Sequence, residues 1–190
     1  MEKAAIIFLN GVSSAGKTAL TKAFQAKLTT PFYHICCDDF MNMTPKHLLQ
    51  KDFGSHILIT QGIMHETIKL FSDKGHNVIV DDVVLDLPDE NDWMYEYVTM
   101  FENYPVLSVR VDCPIEELER REKNRGNRKI GQARWQLAHM NFCWTYDLIV
   151  NTFDNTAEEC ADKIIAMLNH QDQWFAFKKL KSCFEKEKHK

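Results

Sequence analysis

Eight consecutive residues, Gly11-Val12-Ser13-Ser14-Ala15-Gly16-Lys17-Thr18, satisfy the pattern G-x-x-x-x-G-K-[ST] in full. In this pattern the glycines stand where the backbone must turn tightly and approach an anion. The loop N–H groups then point inward, and the following helix offers its positive end to the charge. Lys17 would reach the β- and γ-phosphates of a nucleoside triphosphate, and Thr18 would offer its hydroxyl to Mg²⁺. At average residue usage the four fixed positions coincide in a chain of this size on the order of 1% of the time. An apolar run before the loop and a helical pattern after it make an incidental glycine-rich turn a poor alternative.

Two acidic pairs follow apolar runs: Asp38-Asp39 after FYHICC and Asp81-Asp82 after NVIV. If both runs are strands of a parallel sheet, their carboxyl ends lie beside the phosphate loop. Phosphoryl transfer to a hydroxyl needs one carboxylate to orient or deprotonate the acceptor and another to support the metal. Successive side chains on a strand point opposite ways, so one member of each pair need face the site. Arg120, Arg121, Arg125, Arg128 and Arg134 cluster in RREKNRGNRKIGQAR. Their planar forks match phosphate oxygens, and a lid carrying them could close over the transferring group. Glu116, Glu117, Glu119 and Glu122 can pair with several of them at helical spacing. Arg120 reads as such a surface pair, whereas Arg125 and Arg128, flanking Gly126-Asn127, read as functional.

These residues need a scaffold that brings strand ends together. Residues 4–10 (AAIIFLN) form an apolar run typical of a strand covered on both faces. Helical spacing follows over 17–28, with strands expected at 32–37, 77–81, 105–112 and 147–152. Helices are expected over 56–74, 89–103, 114–124, 131–143 and 156–169, and a short one from Thr44-Pro45. Ile57, Ile59, Ile63, Ile68 and Leu70 supply apolar faces to the helix over 56–74, and Gly75 closes it. This alternation predicts an α/β fold: a P-loop NTPase-type three-layer sandwich with a mostly parallel five-stranded sheet and an arginine-rich lid. His139, Trp135, Trp144 and the Met-rich stretch 41–43 read first as packing residues, although the tryptophans and methionines could line a substrate pocket.

With 190 residues, 45% hydrophobic and 26% charged, the chain has the balance of one soluble globular domain. The formal net charge of −4 does not advertise nucleic acid as a partner, so a bound polyanion requires locally concentrated positive charge. No nucleic-acid motif, metal-ligand cluster or stretch of membrane-spanning length stands out. The six cysteines include no Cys-x-x-Cys pair, which argues against a zinc site and for a reducing, cytosolic compartment. The apolar run after Met1 is too short for a signal peptide. That cytosol could be bacterial or that of a host reached by a secreted effector.

Residues 171–190 differ from the kinase-like domain over 1–170. Trp174, Phe175, Phe177, Leu180 and Phe184 interleave with Lys178, Lys179, Lys181, Lys186, Lys188 and Lys190. This is a basic amphipathic helix or tail. It would either pack on the domain with a solvated lysine face or meet a partner or anionic surface.

Taken together, IIFLNGVSSAGKT, CDDFMNMTP, VIVDDVVL, REKNRGNRKIGQARWQ and YDLIVNT resemble the chloramphenicol phosphotransferase-like family of P-loop kinases, over residues 4 to 168 or so. The resemblance implies ATP and Mg²⁺ as cofactors and transfer of the ATP γ-phosphate to a hydroxyl of a small molecule. It places the general base on Asp38, with the adjacent Asp39 as the alternative, and nucleotide-binding arginines at Arg125 and Arg128. Asp81 and Asp82 are then the metal candidates alongside Thr18, and Gly11, Ser13, Ser14, Ala15, Gly16 and Lys17 the nucleotide-binding loop. The segment between Pro45 and Val78, which shapes the acceptor pocket, is shorter than in the drug-modifying member and differs in composition, so the resemblance leaves the acceptor open, chloramphenicol included. Two other readings use the same motifs. One is a nucleoside, nucleotide or shikimate-type metabolite kinase; the other is a nucleotide-binding switch that acts through its tail without an acceptor.

Overall fold

Every residue of the first strand, β1 (Ile6–Asn10), is buried, because helices cover the sheet on both faces. The computed structural model describes residues 2–87, 92–125 and 130–188. After β1 come α1 (Lys17–Ala26), β2 (Phe32–Cys36), α2 (Cys37–Met41), α3 (Lys46–Lys51) and α4 (Phe53–Asp73). Then follow β3 (Asn77–Asp82), α5 (Trp93–Met100), β4 (Val106–Asp112), α6 (Ile115–Arg125) and α7 (Gln132–Ala138). The chain ends with β5 (Leu148–Asn151), α8 (Ala157–Leu168), a 3₁₀ turn at Gln171–Gln173 and α9 (Ala176–Lys188).

All strand pairs are parallel, in the order β2-β3-β1-β4-β5. The two-residue period of β1 splits the core. Ile7 and Leu9 join Leu20, Phe24, Val109, Cys160 and Ile164 on the α1/α8 side. Ile6 and Phe8 join Met64, Ile68, Tyr97, Phe101 and Phe177 on the α4/α5/α9 side. Register sets Leu9 against Asp81 and Asn10 against both Asp82 and Arg110, so polar strand ends flank the start of the phosphate loop.

The structure corrects several sequence expectations. The second strand stops at Cys36, and Cys37 opens α2, so Asp38 and Asp39 lie in the first turn of a helix rather than at a strand end. Acidic side chains are favourable there against the positive helix end, while Phe40 and Met41 turn inward. Helix α4 begins three residues early, because Asp52 accepts a hydrogen bond from the Ser55 N–H at 3.0 Å. Its buried stripe is Thr60, Gln61, Met64, His65, Ile68 and Ser72, leaving Ile59, Ile63 and Leu70 exposed. Helix α5 starts at Trp93, and residues 88–91 lie outside the described residues. Helix α7 ends at Ala138, short of the expected 143.

The basic tail folds as a helix against the domain. Phe177 meets Phe8 edge to face at 5.4 Å, and Trp174, Phe177 and Leu180 are buried. Asp147 accepts from the Phe175 and Ala176 N–H groups, both at 2.8 Å, and from Ser108 N–H at 2.9 Å, which joins the start of α9 to β4. Lys181 pairs with Glu102, while Lys178, Lys179 and Lys186 face solvent. The helix therefore contributes to the core from residues beyond 170. Phe177→Ala should lower the unfolding free energy by about 3 kcal/mol, as a buried aromatic truncation does. Urea denaturation measures it, and a change within ~0.5 kcal/mol would show the helix to be an appendage.

Candidate active site

The loop from Gly11 to Gly16 leaves β1 through a backbone path that few residues permit. A Cβ at Gly11 would stand 2.6 Å from the Val111 carbonyl oxygen, so only glycine lets β1 turn this close to β4. Ser14 has φ 65° and Gly16 φ 92°, both left-handed, and these curl the loop into a cup. The cup is tied from outside. Arg121 donates to the Ser14 carbonyl at 3.3 Å and to Thr152 Oγ1 at 3.0 Å. Thr152 Oγ1 in turn donates to the Ala15 carbonyl at 2.7 Å. The Ser13 N–H donates to Gln136 Oε1 at 2.7 Å.

Lys17 opens α1 and is buried. Its Nζ donates to the carbonyls of Gly11 at 2.7 Å and Val12 at 3.2 Å, and lies 3.5 Å from Asp81 Oδ1. Thr18 Oγ1 donates to Asp81 Oδ2 at 2.8 Å, and His34 Nε2 lies 3.8 Å from the same oxygen. Burial pushes the Asp81 carboxyl up, but Lys17, His34 and Thr18 outweigh it and hold the pKa at about 2. Asp81 is thus a fixed anion beside a hydroxyl at the mouth of the phosphate cup. A carboxylate and a hydroxyl form a hard oxygen donor set, which fits Mg²⁺, an ion that takes few protein ligands and completes its shell with water and phosphate. Among the described residues no group of three or more His, Cys, Asp or Glu side chains could hold a metal alone.

Asp82 points to the opposite face of the sheet, as the strand period requires. It accepts from Gln61 Nε2 and the Tyr97 hydroxyl, both at 2.7 Å, and from the Val83 N–H at 2.8 Å. Complete burial raises its pKa despite these three donors, and burial pushes Tyr97 upward as well. Asp82 therefore ties α4 and α5 to the end of β3; it lines the same cleft as Thr18 and Asp81 but spends its hydrogen bonds on Gln61, Tyr97 and Val83. His65 lies against Tyr97 with ring centroids 4.2 Å apart in the same buried cluster, and burial holds its pKa down at about 4.

Above the cup opens a cleft of about 730 Å³. Ser13, Ser14, Gly16, Lys17, Thr18, Asp81 and Asp38 line one side of it. Met41, Leu49, Phe53, Ile57 and Leu58, from α2, α3 and α4, form an apolar wall, with Leu85, Leu87, Trp93 and Trp135 opposite or beside it. Phe53, Leu58 and Trp135 are 58%, 51% and 49% exposed, so these large apolar groups face the cleft and not the core. Asp38 borders this cleft and Asp39 does not, although neither is buried. Cys36 and Cys37 border it too, with burial pushing the Cys36 thiol to about 12 and that of Cys37 higher still, so neither is a ready nucleophile.

Of the lid arginines, Arg125 is exposed at the end of α6 and borders the cleft. Arg128 lies outside the described residues. Arg120 pairs with Glu117 and Arg134 with Glu119 on the surface. In the sequence His34, Gln136 and Thr152 carry no assignment, and Arg121 is grouped with the lid arginines without a role of its own. Arg121 stood in a run of arginines with glutamates at helical spacing, which hid its role as the brace of the loop. Gln136 and Thr152 carried no signal, since their partners lie 123 and 137 residues away.

The profile of the Chloramphenicol phosphotransferase-like protein family matches residues 4–169. A Mycobacterium tuberculosis protein provisionally named an O-phosphotransferase is 28% identical over 97% of this chain and 91% of its own length. An adenylyl-sulfate kinase of Clostridium acetobutylicum is 26% identical over 88% of this chain and 84% of its own length. Among solved structures, the Mycobacterium tuberculosis APS kinase bound to AMPPNP and APS superposes with a TM-score of 0.65 at 18% identity, covering 89% of this chain and 99% of its own. The shikimate kinase of Bacteroides thetaiotaomicron gives 0.60 at 20% identity, covering 87% of this chain and 98% of its own. At these identities the structures establish the shared P-loop kinase fold.

The Asp81 environment makes stability depend on pH. The carboxyl is held below its unfolded value, so its contribution is complete above the unfolded pKa of about 4 and is lost as pH falls through the folded value. Asp81→Asn should cost the unliganded protein up to about 2 kcal/mol at neutral pH. In urea titrations the gap between wild type and variant should close from pH ~5 toward pH ~2.5, and a gap independent of pH would contradict the pairing.

Proposed function

The chain belongs to the chloramphenicol phosphotransferase-like family, and from that footing we propose that it moves the γ-phosphate of ATP to a hydroxyl on a small acceptor with an apolar body. It is a small-molecule kinase. The observation that carries it is one continuous cleft in which the phosphate loop, Asp38 and an exposed apolar wall meet.

In this reading the triphosphate lies over residues 11–18 with its distal end toward Lys17. Asp38 takes the proton of the acceptor hydroxyl. The oxygen attacks the γ-phosphorus, the bond to the β-phosphate oxygen breaks, and ADP and a phosphate monoester result. Lys17 and Arg125 balance charge on the transferring group, and the family resemblance assigns Arg128 the same role. Thr18 and Asp81 would hold Mg²⁺, which when bound supplies charge neutralisation across the phosphates. The low pKa of Asp81 supports its role as a permanent anion there. That Asp38 borders the cleft beside the apolar wall supports it as the carboxylate that meets the acceptor hydroxyl.

Phe53, Leu58 and Trp135 favour an acceptor that offers a ring or branched alkyl surface next to its hydroxyl. The likeness to an adenylyl-sulfate kinase keeps a polar nucleotide acceptor as the second reading. All six cysteines are unpaired, which fits a reducing compartment such as the cytosol. Among the described residues no helix is long and apolar enough to cross a membrane.

Incubating the protein with ATP, Mg²⁺ and a panel of apolar and polar alcohols, followed by mass spectrometry for a gain of phosphate, tests the acceptor class. Products confined to polar nucleotides would favour the second reading. Asp38→Asn should lower kcat by roughly 10²–10⁴-fold while leaving the ATP dissociation constant within about threefold, as calorimetry would show. Retained turnover would remove Asp38 from the chemistry. Phe53→Ala should raise KM for an apolar acceptor about tenfold, from lost burial of one aromatic face, with KM for ATP unchanged.

A further inference from the structure

Gln136 reaches the phosphate loop from a helix of the lid region and lines the same cleft as Ser13, Ser14 and Lys17. A backbone N–H can only donate, so the 2.7 Å contact with Ser13 N forces the carbonyl end of the carboxamide toward the loop. The orientation of the amide is therefore fixed by chemistry. Its Nε2, with two N–H groups, has no acceptor among the described residues. Ser13 Oγ and Ser14 Oγ, in the same wall, are buried without a hydrogen-bond partner among the described residues. The Lys17 ammonium lies against the Gly11 and Val12 carbonyls, immediately before Ser13. The Gln136 amide N–H groups and two unpartnered serine hydroxyls thus share a cleft wall with the Lys17–Asp81 pair, where a phosphate oxygen would find donors.

The helix that carries Gln136 is held in place. Glu122, buried in α6, accepts from the Gly131 N–H at 3.0 Å and the Ala133 N–H at 2.6 Å, which fixes the first turn of α7. Gln136 lies one turn further on and is itself buried. Its donor is set in position before any ligand arrives.

We propose that Gln136 contacts the nucleotide directly: Oε1 holds the Ser13 amide, and Nε2 donates to the terminal phosphoryl group. This rests on the nucleotide reading of the cleft. It adds a residue that recognises the γ-phosphate and connects the lid helix to the phosphate loop. The diphosphate product lacks that group, so Gln136 distinguishes ATP from ADP.

The test compares Mg²⁺-AMPPNP and Mg²⁺-ADP binding by calorimetry on the full chain at pH 8. Wild-type binding of either ligand establishes the nucleotide reading by itself, and its absence would sink that reading before Gln136 is considered. Gln136→Glu keeps an acceptor for Ser13 N–H and replaces the donor with a negative oxygen. AMPPNP affinity should fall about tenfold or more, the size of a lost hydrogen bond to a charged group, while ADP affinity changes less than about threefold. Gln136→Met, which adds no charge but removes both the donor and the Ser13 acceptor, should weaken AMPPNP binding more than ADP binding and covers the case of a glutamate variant that does not fold. Equal weakening of both nucleotides, or none, in the folded variants would make Gln136 a brace of the loop only and overturn the proposal.

Discussion

A buried ammonium must be matched, and much of this site follows from how Lys17 is matched. Its charge is stripped of water in the phosphate cup, where an unpaired cation would cost several kcal/mol. Two loop carbonyls and Asp81 satisfy it, and Asp81 is held as an anion partly by Lys17 itself. The pair fixes the end of β3 against the start of α1. Thr18, one residue on, is drawn onto the second oxygen of the same carboxylate. The cation, the hydroxyl and the anion that the proposed Mg²⁺-nucleotide would engage are thereby assembled by one electrostatic constraint.

The neighbouring aspartate does different work because the strand alternates. Asp81 faces the α1 side and meets charged and polar groups at the cup. Asp82 faces the α4/α5 side and enters a dry cluster of Gln61, Tyr97 and His65. The two carboxyls move in opposite directions from the ordinary range, one down beside an ammonium and one up among buried neutral groups. Asp82 is structural in this sense: it holds the helix whose first turns carry Phe53, Ile57 and Leu58, and so fixes the apolar wall of the cleft relative to the phosphate cup.

That division gives the molecule a polar half and an apolar half around one cavity. The polar half comes from the ends of β1 and β3, α1, and the braces Arg121, Thr152 and Gln136. Most of the apolar half comes from α2, α3 and the start of α4, in the segment between the second and third strands, with Leu85, Leu87, Trp93 and Trp135 added from beyond the third strand. Helix α9 supports the sheet from the far face, where Phe177 completes the aromatic cluster around Phe8. Lys178, Lys179 and Lys186 are on the outside because the apolar face of the helix packs on the core.

The sequence by itself determined the phosphate loop, the parallel α/β alternation and the class of chemistry. These are local: glycines and a lysine at fixed spacing, and apolar runs with a period of two, specify their own geometry wherever they occur. The Gly75 stop and the surface pairing of Arg120 were legible for the same reason. Only the tertiary structure decided which aspartate of the second pair meets Lys17, and that Asp38 sits on a helix turn facing the cleft rather than on a strand. It also decided that Ile59 and Ile63 lie outside while Gln61 and His65 lie inside. In each case the outcome depends on a partner far along the chain, such as Asp82 for Gln61 or Ser13 for Gln136. Hydrogen bonds across such separations leave no periodic trace in the sequence, because either partner alone is an ordinary polar residue.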